Sequence, residues 1–219
     1  MNIKAVIFDL DGVLTSSSQE HFLAWAELAN RLGRKLSPGI YDKVKGISRM
    51  ESLELVLEDI GMSSRFSAKE KEELAQQKNS IYVDMISRFD ERNLAPGAIE
   101  LFELLKRNGI KIALGSVSKN SGILLKNMKI LDYFDYIADP ASVKNAKPAP
   151  DIFLAAAKHF SFDSKSCVGV EDAPAGITAI KAAGMFAVGI GDTELLKGAD
   201  IVYDSLCDVD IAFIDRLLA

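Results

Sequence analysis

Apolar residues follow two different spacings along this chain, and the change between them divides the sequence. Short apolar runs bounded by polar residues are typical of buried strands. Six such runs occur, at 5–8, 110–116, 136–138, 166–170, 186–190 and 201–203. Helical patterns accompany them, at 97–108, 120–129, 150–160, 173–183 and 208–218. This alternation predicts an α/β fold whose core is a doubly wound parallel sheet of the Rossmann-like kind.

Residues 15–92 differ from the rest of the chain because their apolar positions follow helical spacing. We therefore expect a helical cap domain at 15–92, inserted after the first strand. The catalytic α/β core would consist of residues 1–14 and 93–219. Two chain crossings would form a hinge, and an insert joined in this way can close over a site like a lid.

Composition narrows the function classes. The chain has 219 residues, is 48% hydrophobic and carries a net charge of −5, without an evident basic patch. Nucleic acid and anionic membranes are therefore poor candidate partners. Cys167 and Cys207 lack metal-ligand spacing, and no signal-peptide pattern or membrane-length apolar segment occurs. We expect reduced thiols in a cytoplasmic protein.

Acidic residues directly follow two of the predicted strands. Asp9 and Asp11 end the first, and Glu171 with Asp172 follows the run at 166–170. Because the carboxyl ends of parallel strands meet at one edge of a sheet, these four acids should lie together. Buried carboxylates need a compensating cation, and oxygen-rich sites favour Mg²⁺. The sequence therefore predicts a magnesium site.

Phosphate-binding groups follow the other strands. Ser116 ends the second run, Ser118 and Asn120 lie at a helix start, and Lys147 occupies a proline-flanked loop. A helix N-terminus with hydroxyl groups suits phosphate, and a lysine would neutralise an anion beside the carboxylates. This set predicts phosphoryl transfer through an aspartyl-phosphate, with the second aspartate of the first strand end as general acid and base.

These motifs resemble the four ordered motifs of the haloacid dehalogenase superfamily, and their order and spacing match along the entire core. The matching segments are Phe8-Asp9-Leu10-Asp11-Gly12-Val13, Ser116, Lys147-Pro148 and Glu171-Asp172. The insert position looks like a helical cap of the first type. Over nearly its full length the chain is also similar to the β-phosphoglucomutase family. The cap segments that carry this likeness are 21–25, 45–49 and 51–53.

The resemblance implies a role for each core residue. Asp9 would be the nucleophile that carries phosphate, and Asp11 would move protons to and from the sugar hydroxyl. The four acids would hold Mg²⁺, with Asp11 contributing its backbone carbonyl. Ser116 and Lys147 would grip the transferring phosphoryl group.

The resemblance also implies substrate-binding residues. Arg49 would clamp the distal phosphate of a sugar bisphosphate, because its planar guanidinium matches phosphate geometry. Ser118 and Asn120 would hold that phosphate from the core. The remaining predicted contacts are Ser17, His21, Trp25, Lys45, Gly46, Ser48, Ser52, Gln76 and Val117. His21 would also help to couple cap closure to Asp11. For Trp25, a place in the hydrophobic core of the cap is an alternative to substrate contact.

Two positions depart from the family pattern. Ser17 replaces a threonine and keeps the hydroxyl. Gln76 stands where the family has a substrate-contacting lysine, which removes a charge and a partner for His21. Lys78 lies nearby but aligns with a different family lysine, so we do not assume that it compensates.

The predicted activity is a phosphosugar mutase. It would interconvert β-D-glucose 1-phosphate and D-glucose 6-phosphate through β-glucose 1,6-bisphosphate, as a monomer without nucleic-acid or membrane partners. A Mg²⁺-dependent sugar-phosphate phosphatase remains the alternative, because both pass through an aspartyl-phosphate and Gln76 leaves the choice open. The second aspartate and the later acidic pair argue against a dehalogenase, and the intact motif residues argue against an inactive sugar-phosphate-binding protein.

Overall fold

The computed structural model describes residues 3–44 and 47–209. The chain divides into two compact units. The core unit consists of Met1–Ser16 with Asp90–Ala219, and the insert unit is Ser17–Phe89. The insert therefore begins two residues later and ends three residues earlier than the predicted 15–92. The predicted helix at 208–218 falls almost entirely outside the described residues.

The core unit contains a six-stranded parallel sheet, which confirms the predicted fold class. Its strands are β1 (Ala5–Phe8), β2 (Lys111–Leu114), β3 (Tyr136–Ile137), β4 (Cys167–Glu171), β5 (Phe186–Ile190) and β6 (Ile201–Tyr203). They are ordered β3-β2-β1-β4-β5-β6, so the first strand is central. Crossover helices are α5 (Ala98–Arg107), α6 (Ser121–Asn127), α7 (Asp151–His159) and α8 (Pro174–Ala182).

Both faces of the sheet are covered, which explains why its strands are apolar throughout. Successive side chains of a strand point to opposite faces. Ile7 belongs to a buried cluster with residues of α7 and α8. Phe8 instead meets Phe102 of α5 edge to face, with ring centroids 5.4 Å apart. The first strand is thereby fixed from both sides, and its C-terminal end is held in place.

The insert unit is helical over its described residues, with α1 (Ser18–Arg31), α2 (Ile40–Val44), α3 (Arg49–Asp59) and α4 (Ala68–Ile86). Its core is formed by Trp25, Leu28, Ala29, Ile40, Leu53, Val56, Leu57, Ile60, Met62, Leu74 and Ala75. These positions recur at the three- and four-residue spacings that the sequence shows. The helices of the insert thus bury their apolar faces against one another.

The two segments that lead to and from the insert run side by side within the core unit. The Thr15 hydroxyl donates to the backbone carbonyl of Asn93 at 2.8 Å. The amide of Ala95 donates to the carbonyl of Leu14, also at 2.8 Å. Within the described part of the chain, none of the helices has the length and hydrophobicity needed to span a membrane.

Candidate active site

Strand register brings the predicted core residues to one edge of the sheet. Phe8 lies beside Leu114 of β2 and beside Val170 of β4. The amide of Asp9 then donates to the carbonyl of Val170 at 2.9 Å, and the amide of Gly115 donates to the carbonyl of Phe8 at 2.8 Å. The residues that directly follow β1 and β2 are therefore level with the end of β4.

Three carboxylates and one ammonium group form the centre of this edge. Oxygens of Asp9, Glu171 and Asp172 lie within 4.8 Å of one another. Lys147 Nζ donates to Asp9 Oδ1 at 2.5 Å and to Glu171 Oε1 at 2.6 Å. Since one lysine offsets only one of the three negative charges, the cluster fits a hard divalent cation with oxygen ligands.

Two of these carboxylates occupy space that is open only because a neighbouring residue is glycine. Gly12 has φ +87°, and a Cβ on it would lie 1.8 Å from Asp172 Oδ2. A Cβ on Gly176 in α8 would lie 1.9 Å from Glu171 Oε1. Both distances are far shorter than any van der Waals contact. The space that the acids occupy therefore depends on two positions without side chains.

Glu171 has a fixed orientation. Its Oε2 accepts hydrogen bonds from the amides of Asp172, at 2.8 Å, and Ala173, at 2.9 Å. Its Oε1 accepts the bond from Lys147. A carboxylate at the start of a helix also interacts favourably with the helix dipole. The side chain is thereby held at both oxygens before any ligand binds.

Burial and charge act in opposite directions on this cluster. Burial raises the pKa of Asp9 to about 6; Lys147 opposes this rise and the Glu171 carboxylate adds to it. For Lys147, burial favours the neutral amine, but the two neighbouring carboxylates prevail and raise its pKa above the ordinary value. Lys147 is therefore a permanent cation at neutral pH.

The loop after β2 and the loop before α7, which contain the predicted phosphate-binding residues, are held by hydrogen bonds from their own side chains. Ser116, which is buried, accepts a hydrogen bond at Oγ from the amide of Ser118 at 3.2 Å. Ser118 Oγ accepts in turn from the amide of Asn120 at 3.4 Å. In the lysine loop, Asp151 Oδ1 accepts from the amide and the Nδ2 of Asn145, at 3.0 and 3.1 Å. Both loops are therefore ordered by short-range bonds.

In the insert, His21 has a lysine partner that the sequence analysis did not assign to it. Lys78 Nζ lies 2.7 Å from His21 Nδ1, and Lys78 is only 2% exposed. Gln76 is exposed. Two residues along a helix correspond to a rotation of about 200°, so positions 76 and 78 of α4 face different sides. Position 76 itself does not provide a lysine partner, but Lys78, which was not assumed to compensate, provides one for His21.

The spacing of the apolar residues in α4 could have identified Lys78. Its buried residues include Leu74, Ala75, Lys78, Ile81 and Tyr82. These are positions i, i+1, i+4, i+7 and i+8, the inward face of an amphipathic helix. A lysine in that series is oriented like its apolar neighbours, and burial of a lysine needs a specific reason.

His21 is neutral and has a defined tautomer. Burial, together with the positive charges of Lys78 and Arg49, lowers its pKa to about 3. An ammonium group has only hydrogen-bond donors. His21 Nδ1 must therefore accept the bond from Lys78, which assigns the ring proton to Nε2.

The other predicted insert residues have varied surroundings. Arg49 Nη2 donates to Asn79 Oδ1 on α4 at 2.8 Å. Ser48 caps α3, and the hydroxyl of Ser52 donates to the carbonyl of Ser48 at 3.0 Å. Trp25 is 2% exposed in the insert core, with Lys78 Nζ 4.8 Å from its ring centroid, which favours the core alternative. Lys45 and Gly46 lie outside the described residues.

A family model, curated relatives and a solved structure all match most of this chain. The model of the haloacid dehalogenase-like hydrolases matches residues 3–184. β-Phosphoglucomutase of Bacillus subtilis is 43% identical over 209 residues, covering 95% of this chain and 92% of that protein. A (DL)-glycerol-3-phosphatase of Arabidopsis thaliana is 30% identical, covering 94% and 72%. The crystal structure of β-phosphoglucomutase from Clostridium difficile matches with a TM-score of 0.92 at 42% identity, covering 99% and 97%.

Proposed function

This chain belongs to the haloacid dehalogenase-like hydrolase family, and we propose that it is a magnesium-dependent phosphosugar mutase. It would interconvert β-D-glucose 1-phosphate and D-glucose 6-phosphate through β-glucose 1,6-bisphosphate. The likeness to β-phosphoglucomutases supports this substrate, because it extends over both units of the chain. We further propose that the enzyme acts as a cytoplasmic monomer.

The observation that carries the proposal is that each unit has its own cationic side chains, as two phosphate-binding sites would require. The core unit has Lys147 beside Asp9, and the insert unit has Arg49 and Lys78 around a neutral histidine. A monophosphate phosphatase needs one such group. A mutase that passes through a bisphosphate needs two, and lysine and arginine are the residues that bind phosphate.

The core residues account for both half-reactions. Phosphorylated Asp9 transfers its phosphoryl group to the 6-hydroxyl of β-glucose 1-phosphate, which forms the bisphosphate. After the bisphosphate rebinds in the opposite orientation, the Asp9 carboxylate attacks the phosphorus at the 1-position and glucose 6-phosphate leaves. Asp11 accepts the proton of the attacking hydroxyl and returns it to the leaving sugar oxygen. The phosphoenzyme is regenerated, so no phosphate is consumed.

The acidic cluster fits magnesium, as its oxygen donors and excess negative charge indicate. Asp9, Glu171, Asp172 and the Asp11 carbonyl would hold the ion. When bound, it supplies positive charge that neutralises the transferring phosphoryl group. Lys147 and the Ser116 hydroxyl orient that group on the remaining side.

The phosphatase alternative is based on the loss of the family lysine at Gln76, and the contact between Lys78 and His21 supports the mutase because it supplies His21 with a lysine partner from another position. The chemical difference lies in the acceptor, since water attacks phospho-Asp9 in a phosphatase and a sugar hydroxyl attacks it in a mutase. Relatives of both kinds occur at 30% identity or more, so activity must be measured.

One assay separates the two activities. The protein is supplied with β-glucose 1-phosphate, Mg²⁺ and a trace of β-glucose 1,6-bisphosphate, while glucose 6-phosphate and free phosphate are measured in parallel. We expect glucose 6-phosphate to form in large excess over phosphate. Release of phosphate without glucose 6-phosphate would identify a phosphatase instead. Arg49→Ala should reduce mutase turnover more than hydrolysis, because a sugar hydroxyl attacks phospho-Asp9 only while the sugar's own phosphate is held at the distal clamp, whereas attack by water does not need that clamp.

A further inference from the structure

Three helices of the insert are preceded by a Ser-x-x-Glu sequence, and one of them does not use it. Ser48 with Glu51 and Ser67 with Glu70 both form reciprocal capping boxes, at the starts of α3 and α4. Ser17 precedes α1 in the same sequence context, yet its side chain makes no capping hydrogen bond. The exception concerns a residue that the family resemblance assigns to the substrate site.

The hydroxyl of Ser17 is held by a tyrosine from another helix. Ser17 Oγ lies 2.7 Å from the hydroxyl oxygen of Tyr82, and neither residue is exposed to solvent. The glutamate of the unused motif, Glu20, has a buried oxygen, Oε2, without a hydrogen-bond partner among the described residues. An absent cap and an unpaired buried oxygen are both unfavourable. Local conflicts of this kind are typical of functional positions.

The ring of Tyr82 holds a second predicted substrate residue. It stacks on the imidazole of His21, with centroids 3.9 Å apart and planes inclined by 25°. Lys78 Nζ lies 4.9 Å from the centre of the same ring, while it also contacts His21 Nδ1. One buried tyrosine therefore contacts Ser17 through its hydroxyl and both His21 and Lys78 through its face.

We propose that Tyr82 is a positioning residue of the sugar-phosphate site. Its hydroxyl keeps Ser17 from capping its own helix and leaves that hydroxyl in a fixed orientation for substrate. Its ring fixes the imidazole plane of His21 so that Nδ1 faces Lys78, whose hydrogen bond places the ring proton on Nε2. The assignment rests on the proposed function, since Ser17 and His21 are substrate residues only if the chain is a phosphosugar mutase.

Tyr82→Phe tests the role of the hydroxyl, because it keeps the ring. We expect kcat/KM for the mutase reaction to fall about tenfold, since misplaced substrate contacts typically cost one to two orders of magnitude. The melting temperature should change little, because phenylalanine keeps the buried ring and its stack on His21. A lower melting temperature with unchanged kcat/KM would make Tyr82 a packing residue and overturn the proposal.

A double-mutant cycle with Ser17→Ala decides the case in which both activity and stability fall. If Tyr82 acts through Ser17, Ser17→Ala with Tyr82→Phe loses no more kcat/KM than the worse single variant. Losses that multiply would show that the two residues act independently, and would overturn the proposal.

Two matched variants serve as controls. Ser67→Ala removes a serine that does cap its helix, so it should lower the melting temperature and leave kcat/KM unchanged. Tyr41→Phe removes the hydroxyl of another insert tyrosine, whose ring meets Phe22, and should change neither quantity. Equal effects of Tyr41→Phe and Tyr82→Phe on kcat/KM would contradict a specific role.

A measurement without substrate separates this proposal from the proposed function. Nitrogen-15 NMR of the His21 ring should report the Nε2–H tautomer in the wild type and in Tyr82→Phe, and an averaged ring in Tyr82→Leu, which loses the stack. Circular dichroism verifies that the variants are folded. An unchanged His21 signal in Tyr82→Leu would overturn the role of the ring. Absence of mutase activity with the expected NMR result would contradict the function alone.

Discussion

The charged groups of the predicted site in the core unit and those in the insert unit form opposite patterns. In the core, three carboxylates surround Lys147, and burial raises the pKa of Asp9. In the insert, Lys78 and Arg49 lie near His21, and burial with their charges lowers its pKa. Burial thus favours the neutral form of an acid in one unit and of a base in the other. The first pattern requires an added cation, whereas the second is suited to an added anion.

The largest loss of activity is expected when the proposed nucleophile of the core unit is replaced. Asp9→Asn keeps the shape of the side chain but cannot form the aspartyl-phosphate. We expect kcat to fall at least about a thousandfold, as for other covalent nucleophiles. Mass spectrometry of protein treated with the bisphosphate should detect phosphoenzyme in the wild type only. Phosphorylation of Asp9→Asn at the same rate would remove Asp9 from its role.

The insert pattern can be broken at Lys78. Lys78→Met should lower kcat/KM about a hundredfold, because it removes a cation and the partner of His21. Thermal stability should not fall, since an apolar side chain in place of a buried charge is often neutral or stabilising. Enzyme kinetics and calorimetry measure the two quantities.

A matched pair of variants on the same helix sharpens this test. Gln76→Lys restores the lysine that the sequence analysis considered absent, but position 76 is exposed. We expect no gain in activity from it, and no loss from Gln77→Ala at the next exposed position. A rise in kcat/KM for Gln76→Lys would reinstate the original assignment of that position.

The contrast also explains what the sequence could and could not predict. Asp9, Ser116 and Glu171 follow apolar runs directly, and parallel register brings such positions to one edge, so the core site was accessible from linear order. The apolar spacing of α4 shows that Lys78 faces inward, but that it meets His21 depends on how α4 packs against α1, which the spacing alone does not show. A shift of two residues turns a side chain to another face of a helix. The family resemblance therefore drew attention to position 76, whereas the contact of Lys78 with His21 is visible only in the structure.

The position of the core carboxylates depends on neighbouring glycines, and a substitution at one of them is a third test. Gly176→Ala adds a methyl group where Glu171 Oε1 lies, so this carboxylate must move. Displaced metal ligands typically lower affinity or activity by 10- to 100-fold, and we expect the apparent Mg²⁺ affinity to fall within that range. Kinetics over a magnesium titration measure it.

Gly122→Ala is the control for that substitution. It also introduces alanine into a helix of the core unit, but among the described residues no atom beyond its chain neighbours and its own helix backbone lies within 4 Å of the added Cβ. It should leave the magnesium dependence unchanged, and it should stabilise the protein slightly because alanine favours helix. Equal shifts for both variants would show that the glycine beside Glu171 has no specific role.

The smallest expected effect is the pH dependence of stability that arises from His21. Its pKa is about 3 in the folded protein, below the ordinary 6.5, so the unfolded chain binds the proton more readily. Above pH 6.5 the ring is neutral in both states and costs nothing. As the pH falls from 6.5 toward 3, only the unfolded chain binds the proton, so the free energy of unfolding should decrease. By linkage the loss amounts to at most about 2 kcal/mol between pH 7 and pH 5.

Replacement of each histidine isolates this contribution from that of the carboxylates. The chain contains two histidines, and His159 is exposed. Denaturant unfolding at pH 7 and pH 5 should show a smaller acid-induced loss in His21→Gln than in the wild type, because glutamine does not titrate. His159→Gln should retain the full wild-type loss. The same pH slope in His21→Gln and the wild type would mean that the insert histidine is not held neutral, and the contrast between the two units would then rest on Lys78 and Arg49 alone.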